Sequence, residues 1–389
     1  MFKIRTYNQI SSLGLDRFPR DSYQVGPDLD APEAFILRSQ KLHTETVPDS
    51  LLAVARAGAG VNNVPVADYS ERGIVVFNSP GANANAVKEL VVTGLLMASR
   101  DIFTGMSYVQ GLTEISDSAE MAALLEKEKK RFAGCELTGK TLGVVGLGAI
   151  GAVVANMALD MGMKVLGYDP ALSVEAAWRL SSRVEKMDNL QSLLSRADYV
   201  TLHVPALEAT KNLINEETLG SLKSGAALLN FAREEIVNTE AVIAALDSGR
   251  LRRFVTDFPV PALLGRDNVI AMPHIGASTG EAEENCAIMA ADQLMDFLES
   301  GNIRNSVNFP ATSMARNGGY RLTVNNANVP KVLSNVLAVL SDCNNNVLDL
   351  VNKSRDDIAY NIIDVEEAPD QCIVDAIKAV EGVKRVRLL

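Results

Sequence analysis

The residues best equipped for chemistry in this chain are few. Its 389 residues include 3 histidines, His43, His203 and His274. His43 lies in a polar segment, QKLHTET. His203 closes an apolar run, Leu202-His203-Val204-Pro205, where its backbone would line a ligand cleft. His274 follows the run NVIAMP and sits in Pro273-His274-Ile275-Gly276-Ala277-Ser278-Thr279. In open parallel sheets, ligands bind beyond the carboxyl ends of the strands. An imidazole there is placed to exchange a proton with a hydroxyl or keto oxygen. Arg233 likewise follows an apolar run, residues 225–231. A guanidinium at that position can fork onto a carboxylate and polarise the adjacent carbonyl.

A third feature supplies context for both. Gly146-Leu147-Gly148-Ala149-Ile150-Gly151 is preceded by an apolar strand-like run, TLGVV, and followed by a helix-like one. Gly146 permits a tight turn, Gly148 lets the backbone approach a pyrophosphate, and Gly151 lets helix and strand pack closely. The free N–H groups and positive dipole end of the helix suit phosphates. Asp169 ends the next apolar run, eighteen residues past Gly151. A carboxylate at that spacing accepts ribose hydroxyls and repels a 2′-phosphate, which predicts NAD rather than NADP. A nicotinamide, a cation for a carboxylate and a proton donor are the three requirements of hydride exchange at a 2-hydroxy acid.

The elements that must hold these residues read as two doubly wound α/β regions. Residues 1–95 alternate short apolar runs (FKIRTYN, AFILRSQ, LLAVARAG, IVVFNS) with turn-like segments, and a second strand–helix series starts at Thr141. Helical patterns cover residues 83–100 and 281–300, with Gly301 as the C-cap of the second. Residues 311–317 read as a linker. Beyond them the order is strand, helix, hairpin, helix, strand, the βαββαβ ferredoxin-like motif.

Composition narrows the setting. The chain is 47% hydrophobic and 22% charged, enough apolar mass for large cores. Its net charge of −11 argues against a nucleic-acid partner. The 4 cysteines show no metal spacing, so no metal site and a reducing, cytoplasmic setting are expected. No apolar run is long enough for a membrane span, and MFKIRTYNQI carries no secretory leader pattern.

Four segments carry a resemblance over essentially the whole chain: RAGAGVNN (residues 56–63), ELTGKTLGVVG (136–146), NFAR (230–233) and PHIGAST (273–279). The sequence resembles the D-2-hydroxyacid dehydrogenases, on their phosphoglycerate branch. That resemblance implies NAD-dependent oxidation of 3-phosphoglycerate to 3-phosphohydroxypyruvate, the first step of L-serine biosynthesis. It implies a flavodoxin-like substrate domain split between residues 1–95 and 281–310, a Rossmann NAD domain at 96–280, and a regulatory ACT-like domain at 318–389. Arg233 would bind the carboxylate and His274 would be the acid/base. Gly146, Gly148, Ala149, Ile150, Gly151, Asp169, His203, Val204, Phe231, Ala232, Asp257, Gly276 and Ala277 would meet NAD. Ala59, Gly60 and Val61 would meet the substrate carboxylate through their amides, with Asn83 and Arg38 in the pocket and Arg38 facing the phosphate.

There are two departures from the family pattern. The family's Glu that orients the catalytic imidazole is missing: the segment reads Asp257-Phe258-Pro259-Val260-Pro261-Ala262-Leu263, with no acid before Asp267. Glu281 or Asp267 would have to substitute, or the activity is altered. The missing Glu also admits a non-catalytic NADH-sensing protein, and the family admits another D-2-hydroxy acid as substrate. In the C-terminal module, Lys331 takes the place of a family Gly after Pro330. Asn328 and Asn346 are the candidates there for an amino-acid effector such as serine. The segment after Arg100 resembles the family's dimerisation arm, and a homodimer or homotetramer is expected.

Overall fold

In the computed structural model, which describes residues 1–389 apart from the side chain of Glu175, the N-terminal apolar runs form five parallel strands. They are β1 (Phe2–Thr6), β2 (Tyr23–Gly26), β3 (Ala34–Leu37), β4 (Ala53–Arg56) and β5 (Val75–Phe77). Their order, β2-β1-β3-β4-β5, is the flavodoxin-like one. Strands β3 and β5 are buried throughout and read as unbroken apolar runs, as strands covered on both faces must.

The second series forms seven strands: β6 (Thr141–Val145), β7 (Lys164–Tyr168), β8 (Glu185–Lys186), β9 (Tyr199–Leu202), β10 (Ala226–Asn230), β11 (Leu251–Thr256) and β12 (Val269–Ala271). All pair in parallel, in the order β12-β11-β10-β9-β6-β7-β8. The chain winds outward from β6 in one direction and returns to place β9 on its other side. The switch point therefore lies between β6 and β9, where a doubly wound sheet opens its crevice.

The third sheet is antiparallel: β13 (Tyr320–Ala327), β14 (Val347–Arg355), β15 (Ile358–Val365) and β16 (Val383–Leu388), ordered β14-β15-β13-β16. The helices Val332–Asp342 and Gln371–Lys378 complete the βαββαβ motif.

The chain divides into two compact units, Met1–Asn83 with Thr279–Leu389, and Ala84–Ser278. This differs from the boundary at 95/96 read from the sequence. The helix Ala84–Ser99 falls in the second unit, because Val87, Val91, Leu95 and Ala98 share a core with Leu142, Val144, Leu229 and Val255. Thr279 and Gly280 fall in the first, because Thr279 caps the helix Gly280–Ser300, its Oγ1 accepting from Ala282 N at 3.1 Å. That helix ends at Gly301, whose φ of 72° is the left-handed C-cap expected there.

In the first unit the helix Gly280–Ser300 lays Cys286, Ala290, Leu294 and Phe297 against Ile4, Ile36 and Phe77. The same core takes in Ile358, Tyr360 and Ile362 of β15, so the helix-free face of the C-terminal sheet is buried on the N-terminal region. One ion pair locks this seam. Arg321 and Asp364, 1% and 2% exposed, bond through two nitrogens and two oxygens at 2.7 and 2.8 Å. The remaining guanidinium hydrogens go to the carbonyls of Ser300, Met314 and Ala315. Residues 311–317 are therefore not a free tether: Thr312 and Met314 are buried, and Thr312 bridges to Ile303.

A buried charge stripped of its partner is costly. Arg321→Met is expected to destabilise the first unit by about 3–5 kcal/mol. Arg321→Met combined with Asp364→Leu is expected to recover most of that loss. Thermal unfolding of the three proteins tests both statements.

Candidate active site

The second unit carries most of the candidate residues, and the glycine loop shows why they are the types they are. Gly146 has φ 89°, and a Cβ on it would lie 2.7 Å from the His203 carbonyl oxygen. A Cβ on Gly151 would lie 1.8 Å from the Gly146 oxygen. Neither position can hold a side chain. A Cβ on Gly148, by contrast, would meet nothing within 4 Å. Gly148 is also the N-cap of the helix Ala149–Asp160, which has no side-chain cap and no acid in its first turn. Its leading N–H groups, at Ala149 and Ile150, are thus left for an anion.

Asp169 sits beside this loop. Its Oδ2 accepts from Leu147 N at 2.8 Å and its Oδ1 from Ala171 N at 2.9 Å. Each oxygen keeps a lone pair for a ribose hydroxyl. Open space at Gly148, a bare helix start and an anchored carboxylate fit a dinucleotide. Val204 closes the other side of the turn, its Cγ1 2.8 Å from where a Gly146 Cβ would be.

His203 is part of this support. Its backbone N–H donates to Val145 O at 2.8 Å, and its Nε2 lies 2.9 Å from Thr201 Oγ1. Its Nδ1 is buried without a partner. Burial pushes the imidazole down to about 3, so it is uncharged at neutral pH.

Arg233 is held by the residue three before it. Asn230, 1% exposed at the end of β10, donates from Nδ2 to Arg233 O at 2.8 Å and accepts from Ala232 N at 3.1 Å. This fixes the turn through Phe231 and Ala232. Phe231 packs toward Gly94, where a Cβ would come within 2.9 Å of its ring. The Arg233 guanidinium bonds only to the Ala232 carbonyl, at 2.6 Å, and joins no ion pair among the described residues. Its charge is left to a ligand.

His274 depends on Asp257. Asp257 is 2% exposed, and its two oxygens accept from Ile275 N at 2.8 Å and Gly276 N at 2.7 Å. Gly276 is buried against that carboxylate and Ala277 is half-buried beside it. The staple holds His274 at φ 57°, a left-handed conformation that costs a residue with a Cβ about 1–2 kcal/mol. Among the described residues of this unit no carboxylate bonds to the ring, Asp267 included. Its neighbour is Phe258, with ring centroids 4.7 Å apart and planes at 52°. The ring thus has an aromatic neighbour and no acid among the described residues of its unit.

The substrate candidates lie in the first unit. The amides of Ala59, Gly60 and Val61 donate to no group among the described residues. The loop before them is shaped by Gly58, φ 154°, which lies against the Arg56 guanidinium. Successive unpartnered amides form a nest suited to a carboxylate. Asn83 has its Oδ1 buried without a partner. Arg38 is half-exposed and paired with Glu283 at 2.7 Å. A pair so exposed contributes little, about 0–1 kcal/mol, and exchanges readily for a ligand. Arg56 donates from Nε to Arg38 O at 3.0 Å, bringing a second cation to the same strand ends.

In the C-terminal sheet, Asn328 N bonds to Asp357 O and its side chain to Asp356 O. Asn346, exposed, takes Glu366 N at the other end of the helix Val332–Asp342. One copy of the chain does not bring the two together. Lys331 adopts φ 77°, the conformation that favours the Gly it replaces.

Sequence reasoning missed Asn230, Phe258 and Arg56 as individual contributors. All three lie in segments it singled out, but their roles are hydrogen bonds and ring contacts that spacing does not encode.

Two predictions follow from the supporting residues. Asp257→Asn puts an NH2 against one of the two amides. It is expected to cost about 1–3 kcal/mol and to cut turnover while leaving dinucleotide affinity intact. A fluorescence titration that shows affinity falling with turnover assigns Asp257 to the cofactor instead. For His203, the unfolded imidazole takes its proton near 6.5 and the folded one only near 3. Stability is full above pH 6.5 and falls below it by about 1.4 kcal/mol per pH unit. His203→Gln is expected to remove that slope in unfolding measurements between pH 7.5 and 5, which cross the upper edge of the window from 6.5 to about 3.

Comparison with known proteins agrees with this geometry. Residues 95–276 match the model of the D-isomer specific 2-hydroxyacid dehydrogenase NAD binding domain. D-3-phosphoglycerate dehydrogenase of Haemophilus influenzae is 33% identical over 87% of this chain and 81% of its own. The Synechocystis D-3-phosphoglycerate dehydrogenase is 37% identical over 72% of this chain, which spans about half of that relative, 49%. The NAD+-bound 3-phosphoglycerate dehydrogenase structure from Entamoeba histolytica superposes with a TM-score of 0.61 at 25% identity, covering 79% of this chain and 98% of that one. The chain belongs to the D-isomer specific 2-hydroxyacid dehydrogenase family.

Proposed function

We propose that this protein oxidises 3-phosphoglycerate to 3-phosphohydroxypyruvate with NAD, as the first step of L-serine biosynthesis. The observation that carries the reading is Arg233. It is a guanidinium without an ion-pair partner, on a turn fixed by Asn230, in the same sheet as the stapled His274 and the bare helix start at Gly148.

The glycine loop and Asp169 hold the pyrophosphate and ribose. Bound NAD supplies the hydride acceptor. Arg233 takes the substrate carboxylate by two parallel N–H bonds and draws charge toward it as the C2 carbonyl forms. His274 accepts the C2 hydroxyl proton on a ring nitrogen and passes it to solvent. Ala59, Gly60 and Val61 offer amides to the carboxylate, Asn83 an acceptor to a hydroxyl, and Arg38 a cation to the phosphate. What aims the imidazole is the Asp257 staple and the Phe258 face.

A second reading, a dehydrogenase of another D-2-hydroxy acid, draws on the Arg38–Glu283 pair, which already counters the phosphate's cation.

The surroundings of the site support an oligomeric, cytoplasmic enzyme. The helix Ile102–Gln110 buries no residue and exposes Phe103 and Met106 by 63% and 64%. Such an apolar stripe suits a second copy, in a homodimer or homotetramer. A second copy would also supply the partner for Asn328 or Asn346 in an amino-acid effector site. The four cysteines are free, and among the described residues no helix is long and apolar enough to cross a membrane.

The test is NADH formation with 3-phosphoglycerate and, in parallel, with unphosphorylated D-2-hydroxy acids. His274→Ala is expected to cut kcat by about 10²–10⁴-fold. Arg233→Lys, which loses the fork, is expected to cut kcat/KM by roughly 10–100-fold. Turnover of only the unphosphorylated acids selects the second reading. NADH binding without turnover of any of them selects a sensor.

A further inference from the structure

The seam between the C-terminal sheet and the N-terminal sheet of the first unit carries an excess of positive charge with no assigned use. A pocket of about 330 Å³ opens there, lined by Asp49, Ser50 and Leu52 on one side and by Lys378, Lys384, Arg385 and Arg387 on the other. Four cations and one carboxylate line it, Lys378 also forming an exposed pair with Asp375 at 3.5 Å on its own helix, in a chain whose net charge is −11.

Arg385 and Arg387 stand two residues apart on β16, so their side chains leave the same face of the strand. Every hydrogen bond they make goes to a backbone carbonyl: Arg385 to Leu51 and Asp49, Arg387 to Phe297 and Leu298. Neither joins an ion pair among the described residues. Arg387 gains something from the carbonyl end of the helix Gly280–Ser300 and from the Phe297 ring, 4.6 Å away. Arg385 has no such helix end. Burial lowers the pKa of both guanidinium groups, the sign of charges under-compensated by their surroundings.

A second observation lies behind the arginines. They also line a narrow cleft of about 10 Å³ with Asn325, Thr323 and Tyr360. Asn325 is 4% exposed, and both polar atoms of its side chain are without partners. Buried amides without partners are rare in folded proteins and mark places where polar content is to be held. The cleft has room for about one water molecule.

We propose that this pocket is a binding site for a small phosphate-type dianion, held by Arg385, Lys384 and Lys378 and backed by Arg387. An anion there takes the guanidinium hydrogens that Arg385 does not spend on Leu51 and Asp49, and bridges strand β16 to the segment that leads into β4. Its binding therefore stabilises the seam, and this holds whatever substrate the dehydrogenase site takes.

The experiment is thermal unfolding of the full chain with inorganic phosphate, against chloride at matched ionic strength. An Arg38→Ser background and excess NAD remove the other phosphate sites. Phosphate at about ten times its dissociation constant is expected to raise Tm by about 3 °C. Adding Lys378→Ser with Lys384→Ser is expected to abolish the rise. Adding Lys127→Ser with Lys130→Ser, which removes two exposed charges elsewhere, is expected to leave it. No rise beyond that in chloride, a rise that survives loss of Lys378 and Lys384, or a rise lost equally in the Lys127 and Lys130 control would each overturn the site.

Discussion

Asp257 accepts from two consecutive amides, Ile275 and Gly276, at the end of β11. The geometry of the loop that carries His274 depends on that staple. A carboxylate gives up water when it is buried, and only charge-assisted bonds of this kind compensate for the loss. The bond pair in turn forces His274 into a left-handed backbone that an unconstrained chain would leave. Strain of this sort persists only where surrounding bonds over-determine it. The carboxylate's main-chain partners explain how the imidazole is aimed although no acid of its own unit touches its ring. Phe258 completes the arrangement as a wall against which the ring rests.

A similar division of labour runs through the rest of the dinucleotide sheet. Asn230 shapes the turn that presents Arg233, Asp169 anchors the glycine loop through Leu147, and neutral His203 fills the space beneath Gly146 and Gly151. Asn230 and Asp169 spend their hydrogen bonds on backbone, which leaves the helix amides without side-chain caps and the Arg233 guanidinium without an ion-pair partner among the described residues. Preorganised donors need no rearrangement when charge arrives, which is where their advantage over water lies.

The first unit makes opposite use of buried charge. Arg321 and Asp364 saturate one another and three carbonyls, so the pair fixes how the C-terminal sheet lies on the helix Gly280–Ser300 and offers nothing to a ligand. Arg385 and Arg387, in the same seam, bond to carbonyls and form no ion pair among the described residues, with Asp49 the one acid lining their pocket. Full pairing marks the first as structure; an excess of cations over carboxylates marks the second as a place for an anion.

Much of the fold was legible in the sequence because its signals are local. Alternating apolar runs announce parallel sheets, GxGxxG between strand and helix announces the phosphate turn, and Gly301 announces a helix end. The residue types at Arg233, His274 and Asp169 were legible too, since the end of an apolar run marks a strand's ligand-facing edge. What the tertiary structure decided is non-local. The helix Ala84–Ser99 shows an apolar stripe but not which sheet it covers. The residues 311–317 look like a linker because their anchor, Arg321, acts through carbonyls that have no sequence signature. Asn328 and Asn346 read as one site until the helix between them sets them at opposite ends of a sheet. Asp257, Asn230 and Phe258 acquire their roles only from what folds against them. Residue type and spacing determine which chemistry is available; hydrogen-bond partners, set by the packing of distant segments, determine which residue performs it.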